Sequence, residues 1–178
     1  MMRALTFLLA LVCGTAQAQT VTPSSFGMNY SFPTTDSSRI SPSIVRMWDE
    51  TVGGAGVHWT DIETARGVYN WTAFDAILAH AQAIGADVTY TFGLVPNWAN
   101  GATPDVPPTS FTDFYNFVTA VATRAGCKIK YYAPWNEANL SGVGFYWSGT
   151  QAQMLLSYEY QSILCTPPLV SRIGQIPA

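Results

Sequence analysis

The chain has 178 residues, a length that calls for one domain rather than two. Charged residues make up only 11% against a usual quarter or so, and the formal net charge is −3, so nucleic acid and anionic membrane surfaces are poor fits as partners. Aromatic residues reach 13%, which suits a neutral, hydroxyl-rich ligand held by stacking and hydrogen bonds and equally suits a large aromatic core; composition does not choose between the two.

The first eighteen residues, MMRALTFLLALVCGTAQA, carry one basic residue, an apolar run from Ala4 to Val12, and the small residues Ala16 and Ala18 around Gln17. That is the pattern of a secretory signal peptide, too short to span a bilayer. The folded domain is therefore expected over residues 19–178, in a secreted or periplasmic setting and off the membrane once the leader is removed. Cleavage ahead of Cys13, as in a lipoprotein, is disfavoured by the bulky Leu11 and Val12. Losing Arg3 makes the remainder one unit more negative. Two cysteines remain, Cys127 and Cys165, and an oxidising compartment favours a disulfide between them. No metal is expected: only His58 and His80 could join the cysteines, and no C-x-x-C or H-x-x-x-H spacing exists.

In chain order, FGMNYSF (Phe26 to Phe32) is a weak first strand and SIVRMW (Ser43 to Trp48) a stronger second. Phe74, Ile77, Leu78, Ala81 and Ile84 then share one helical face, with Thr72 and Asp75 at capping-box spacing and Gly85 as the stop. DVTYTFGLV (Asp87 to Val95) follows as a strand. The next helix repeats the grammar: Phe111, Phe114, Tyr115, Val118 and Val121 form the stripe, Ser110 and Asp113 the cap, Gly126 the end. KIKYYAPW (Lys128 to Trp135) is the fourth strand. A third helix is expected from Thr150 to about Ile163, boxed by Gln153, and LVSRI (Leu169 to Ile173) is a candidate fifth strand. Strands alternating with helices imply parallel pairing with the helices outside.

The connections are unequal. Helix-to-strand links are tight at Gly85-Ala86 and Gly126-Cys127, whereas Pro96 to Thr109 and Ala138 to Gly149 are long. Long loops at the carboxyl ends of parallel strands are where such folds place their sites. Glu137, Trp98, Tyr146 and Trp147 all lie on that rim. No G-x-G-x-x-G or P-loop follows a strand, and GGAG (Gly53 to Gly56) precedes no clear helix, so no dinucleotide, phosphate or other cofactor site is implied.

The segments IVRMWD, HWTDIETARGVYNWTAFDAILAHAQAIGADVTYTFGLVPNWA and IKYYAPWNEAN resemble the front half of the retaining (β/α)8 glycoside hydrolases of clan A, most closely the family 39 xylosidase-like and related Asl1-like glycosyl hydrolases. The resemblance runs from about Phe26 to Trp147. It rests on Trp-Asn-Glu closing a fourth strand, an Arg on the second, and Pro-x-Trp after the third. It implies an α/β fold of the TIM-barrel type, truncated to about the first four or five β/α units, acting on a poly- or oligosaccharide.

For Glu137 the resemblance implies the general acid/base. A glycosidic oxygen leaves poorly unless protonated, and a carboxylic acid can protonate it and later activate water; the competing reading is a surface or cap carboxylate. Asn136 would bond the sugar's 2-hydroxyl, a contact that strengthens in the transition state, or else is an ordinary turn residue. Arg46 would orient carboxylates at the barrel top or serve a structural ion pair. Trp98, Tyr146 and Trp147 are candidate sugar platforms, each with loop packing as the alternative. His58 is read as structural, with catalysis the minority alternative, and Glu63 as part of a structural turn.

A retaining mechanism also needs a second carboxylate about 5 Å from the first, which the family carries at the end of strand seven. Asp49, Glu50, Asp105 and Glu159 are not at such a place, so the nucleophile is expected to be missing from this chain, and the open barrel edge is expected to favour self-association. A secreted carbohydrate-binding protein without turnover and an inactive fragment are the rival readings.

Overall fold

A computed structural model describes residues 27–28, 42–140 and 146–161. Its main sheet has four parallel strands in the order β1 (Gly27–Met28), β2 (Ile44–Met47), β5 (Asp87–Thr91) and β6 (Tyr131–Ala133). A two-stranded antiparallel hairpin, β3 (Glu63–Ala65) and β4 (Val68–Tyr69), stands apart from it. The helices are α1 (Trp59–Ile62), α2 (Thr72–Ala83), α3 (Asn97–Asn100), α4 (Phe111–Ala125) and α5 (Gln151–Gln161). The four expected strands and three expected long helices are thus present. The candidate strand Leu169 to Ile173 lies outside the described residues.

Parallel register aligns Met47 with Tyr90 and Tyr90 with Tyr132, and one step back aligns Arg46 with Thr89 and Thr89 with Tyr131. Because side chains alternate along a strand, Val45, Met47, Val88 and Tyr90 point to one face and are buried, while Arg46, Thr89 and Tyr131 point to the other and are half-buried or exposed. The buried face packs under α2 and α4 through Phe74, Ile77, Phe117, Val118 and Val121. Aromatic rings dominate this core. Phe92 makes edge contacts with Tyr90 at 4.9 Å and Phe114 at 5.7 Å, and stacks on Tyr132 at 5.8 Å. The Tyr90 hydroxyl donates to the Val57 carbonyl at 2.7 Å, and burial pushes its pKa well above the ordinary phenol value.

Strands β5 and β6 are shorter than their apolar runs, for identifiable reasons. Beyond Thr91 only the Phe92 N–H continues the ladder, to the Ala133 carbonyl at 2.8 Å. The Gly93 and Leu94 carbonyls turn instead to the N–H groups of Trp59 and Thr60, at 3.2 and 3.0 Å, which seats the start of α1 on the strand end. In β6 the ladder stops at Pro134, which has no N–H to give.

Two of the three expected capping boxes do not form. Thr72 already lies inside α2, and its N–H is accepted by Asn70 Oδ1 at 3.1 Å; Asp75 pairs with Arg124 instead. Ser110 makes no side-chain cap, and Asp113 pairs with Arg66 at 2.8 Å. The third box forms: Thr150 N–H donates to Gln153 Oε1 at 2.8 Å, and Gln153 N–H to Thr150 Oγ1 at 3.3 Å. The expected Cys127–Cys165 disulfide is not seen: Cys127 is an exposed free thiol, and Cys165 lies outside the described residues.

Candidate active site

The site grows from the strand ends. Arg46 alternates away from the helix-covered face, so its guanidinium crosses the sheet toward the ends of β5 and β6. Its Nε donates to Thr91 Oγ1 at 3.1 Å and its Nη2 to Asn136 Oδ1 at 2.7 Å. One side chain thereby ties β2, β5 and the segment after β6 together. With Oδ1 taken, the Asn136 amide is oriented, and its Nδ2 donates to Glu137 Oε2 at 3.3 Å. Glu137 is exposed and holds a left-handed φ of 49°. Leu94, also on this rim, has φ 54°. Non-glycine residues in that region carry strain that clusters at functional sites.

Three strand-end residues pack beneath this polar chain. Trp48, following β2, is buried and lies against Gly93: a Cβ added there would sit 2.6 Å from the indole. Only glycine lets the ring approach so closely. Trp135, following β6, is buried and meets Trp147 edge-on at 5.1 Å. The Trp147 indole N–H donates to the Thr150 carbonyl at 3.2 Å. Tyr146 is half-buried and makes no hydrogen bond among the described residues. The Arg46 guanidinium lies 5.8 Å from the Trp48 ring centre.

No family model matches the chain, and no curated protein matches it. Among solved structures it is similar to a glucosidase from Croceicoccus marinus, at 15% identity and a TM-score of 0.46, over 68% of this chain and 27% of that one. It is also similar to a family 39 glycoside hydrolase from the gut symbiont Bacteroides cellulosilyticus WH2, at 16% identity and a TM-score of 0.46, over 70% and 24% of the two chains. The chain spans about a quarter of the length of either protein.

Trp98 is turned to structural work. Its indole N–H donates to the Glu63 carbonyl at 2.8 Å, its ring meets Trp59 edge-on at 6.0 Å, and the Arg66 guanidinium sits 5.3 Å from its centre. Arg66 thus covers one face of the ring. Glu63 is the structural residue expected of it: buried at the hairpin, it accepts from Trp59 Nε1 at 2.7 Å and from the Gly67 N–H at 2.7 Å. Tyr69 beside it has its pKa raised by burial and by the Glu63 carboxylate.

The other acids are placed as follows. Glu50 is buried, with Oε2 accepting the Trp48 N–H at 2.6 Å; burial raises its pKa, opposed by that hydrogen bond and by Arg46. Asp49 is exposed, with Oδ1 3.8 Å from His58 Nε2. Asp105 is buried in the loop after α3, where its carbonyl accepts the Ser148 N–H at 3.1 Å. Among the described residues no group of three or more His, Cys, Asp or Glu could hold a metal ion, and no helix is long and apolar enough to cross a membrane.

The structure also brings in residues that sequence reasoning passed over. Trp48, Gly93 and Trp135 build the rim floor, and the glycine inside the run TYTFGLV was the available signal, since a glycine in a strand often marks a close approach. His58 supports the floor: Asp61 Oδ2 accepts from its backbone N–H at 3.1 Å and lies 2.9 Å from its Nδ1, and its ring meets Trp48 edge-on at 4.7 Å.

Proposed function

We propose that Glu137 is the general acid/base of a retaining glycoside hydrolase site and that Asn136 holds the sugar's 2-hydroxyl. The observation that carries this reading is the chain Arg46 to Asn136 to Glu137 at the carboxyl end of a parallel sheet, with Glu137 held at positive φ. Arg46 is a positioning residue, orienting the Asn136 amide rather than a carboxylate. In the first step the Glu137 carboxyl gives its proton to the glycosidic oxygen as the C1–O bond breaks and a second carboxylate bonds C1. In the second the Glu137 carboxylate takes a proton from water as the water oxygen attacks C1 and the glycosyl ester breaks. No residue of this chain is assigned as that second carboxylate.

Aryl xylosides, arabinosides, glucosides and mannosides are the substrates to assay, with this chain joined to a partner segment that supplies the second carboxylate; without that carboxylate the chain is expected to turn over none of them. Glu137→Gln keeps the shape without the proton, so turnover of substrates with poor leaving groups is expected to fall about 10²- to 10⁴-fold, and of activated aryl glycosides by less. Equal, unchanged rates on both would remove the assignment.

Sugar binding without turnover is the second reading. It is favoured by the occupation of the buried carboxylates Glu50, Glu63 and Asp113, which are spent on Trp48, on Trp59 and Gly67, and on Arg66. Binding of an oligosaccharide weakened by Asn136→Ala, with no turnover of any aryl glycoside by the joined protein, would establish it.

A further inference from the structure

Residues 49–57 leave the sheet at the carboxyl end of β2 and return to α1 as a short flap. Val52 and Ala55 exchange two backbone hydrogen bonds, at 2.8 and 3.0 Å, and Gly53 and Gly54 form the exposed tip at φ 59° and 80°. Positive φ at both central residues makes the tight hairpin turn that glycine permits. The returning limb is fixed to the sheet. Val57 is buried and its carbonyl accepts the Tyr90 hydroxyl at 2.7 Å, while Trp59 and Thr60 donate to the Gly93 and Leu94 carbonyls just beyond. The outgoing limb begins at the exposed Asp49.

His58 stands between the two limbs. Asp61 orients its ring from one side: Oδ2 lies 2.9 Å from Nδ1 and is seated against Gly56, where an added Cβ would collide with it. With Nδ1–H given to Asp61, a neutral ring presents a bare lone pair at Nε2. That atom is buried, makes no hydrogen bond among the described residues, and faces Asp49 Oδ1 at 3.8 Å. A lone pair gains nothing from a carboxylate, whereas a second proton turns Nε2 into a donor aimed at it. Imidazole is the side chain that takes up such a proton between pH 5 and 8. Three other titratable or charged groups stand near. Glu50 belongs to the flap and has its pKa raised by burial; Arg46 on β2 approaches the Trp48 ring that His58 meets edge-on; Tyr90 on β5 is kept neutral by burial. None of them bonds His58 Nε2. We propose that Asp49 and His58 form a proton-operated latch, in which a second proton on His58 ties the outgoing limb to the fixed one and its loss frees the flap. The latch does not depend on any chemistry at Glu137.

The test is amide hydrogen exchange of the full chain, followed by NMR from pH 5 to 8 and corrected for the intrinsic rate at each pH, alongside the ring signals of His58. Protection of the Val52 and Ala55 amides is expected to fall about threefold as the His58 ring loses its proton, the effect of one partly exposed ion contact. The Phe92 amide, in the sheet ladder, is expected to keep its protection. Asp49→Ala, at an exposed position, is expected to make flap protection level across the range, at the value wild type reaches at pH 8. His58→Gln is expected to make it level as well, and Asp49→Ala decides alone if that variant does not fold. Glu50→Gln is expected to keep the threefold change. Flap protection that does not fall between pH 5 and 8, an equal fall at Phe92, or a fall that persists in Asp49→Ala would overturn the proposal. So would a fall kept in His58→Gln and lost in Glu50→Gln, which would put the switch on Glu50.

Discussion

Glu137 occupies backbone space that an L side chain enters at a cost of about 1–2 kcal/mol. Glycine enters it freely but loses more entropy on folding, so Glu137→Gly is expected to raise stability by roughly 0.5–1 kcal/mol while removing any turnover, with urea unfolding and an aryl-glycoside assay as the measurements. Cys127, at φ 68° and exposed, is the control away from the rim: Cys127→Gly should gain a similar amount and leave activity alone. A loss of stability in both would mean that neither position is strained. Glu50 gives a prediction in pH. Burial raises its folded-state pKa above the ordinary glutamate value, so the unfolded chain ionises first. Its contribution to stability is full below the ordinary value and is lost as pH rises through the raised one. Glu50→Gln cannot titrate and still offers an oxygen to the Trp48 N–H. Its melting temperature relative to wild type should climb across that window and then level; a difference independent of pH would contradict the shift.

At the scale of elements, the caps separate what is written locally from what is not. Thr150→Ala breaks a reciprocal pair at the start of α5 and should cost about 1 kcal/mol. Ser110→Ala should cost little, since Ser110 makes no side-chain cap; denaturant midpoints of the two variants check this. Both sites carry the same sequence signature. They differ because Asp75 and Asp113 are claimed by Arg124 and Arg66, partners 49 and 47 residues away that no local pattern announces. The strands and long helices were legible because period two and period 3.6 report burial directly, as in Val45 and Met47 or in Phe74, Ile77 and Ala81. The hairpin of Glu63 to Tyr69 was read only as a turn, because its exposed residues show no alternation. Asn136 and Glu137 stood out by chemistry and place. Trp98 was left between sugar platform and loop packing, since an aromatic beside a proline reads the same whether its N–H meets a ligand or, as here, the Glu63 carbonyl.

Across the whole molecule, stability is concentrated in linked rings. Phe92 has no solvent exposure and touches Tyr90, Phe114, Phe117 and Tyr132. Phe92→Ala should cost about 3–5 kcal/mol, a large share of the 5–15 kcal/mol typical of a domain. Because these rings join β5, β6 and α4, tryptophan fluorescence and far-ultraviolet circular dichroism should shift to lower urea by the same amount; separate midpoints would show that the core is not one cooperative unit.

The Arg46 bridge bears on heat. Loops open more readily than core strands, and an enzyme whose working groups ride on loops loses rate while most of its structure is intact. Asn136 lies past the end of β6 but is pinned through Arg46 to β2 and Thr91, so it shares the sheet's resistance to local opening. On warming, the ligand recognition proposed for Asn136 should persist up to the temperature at which the sheet melts and vanish with it, whereas in Arg46→Met it should fade many degrees earlier.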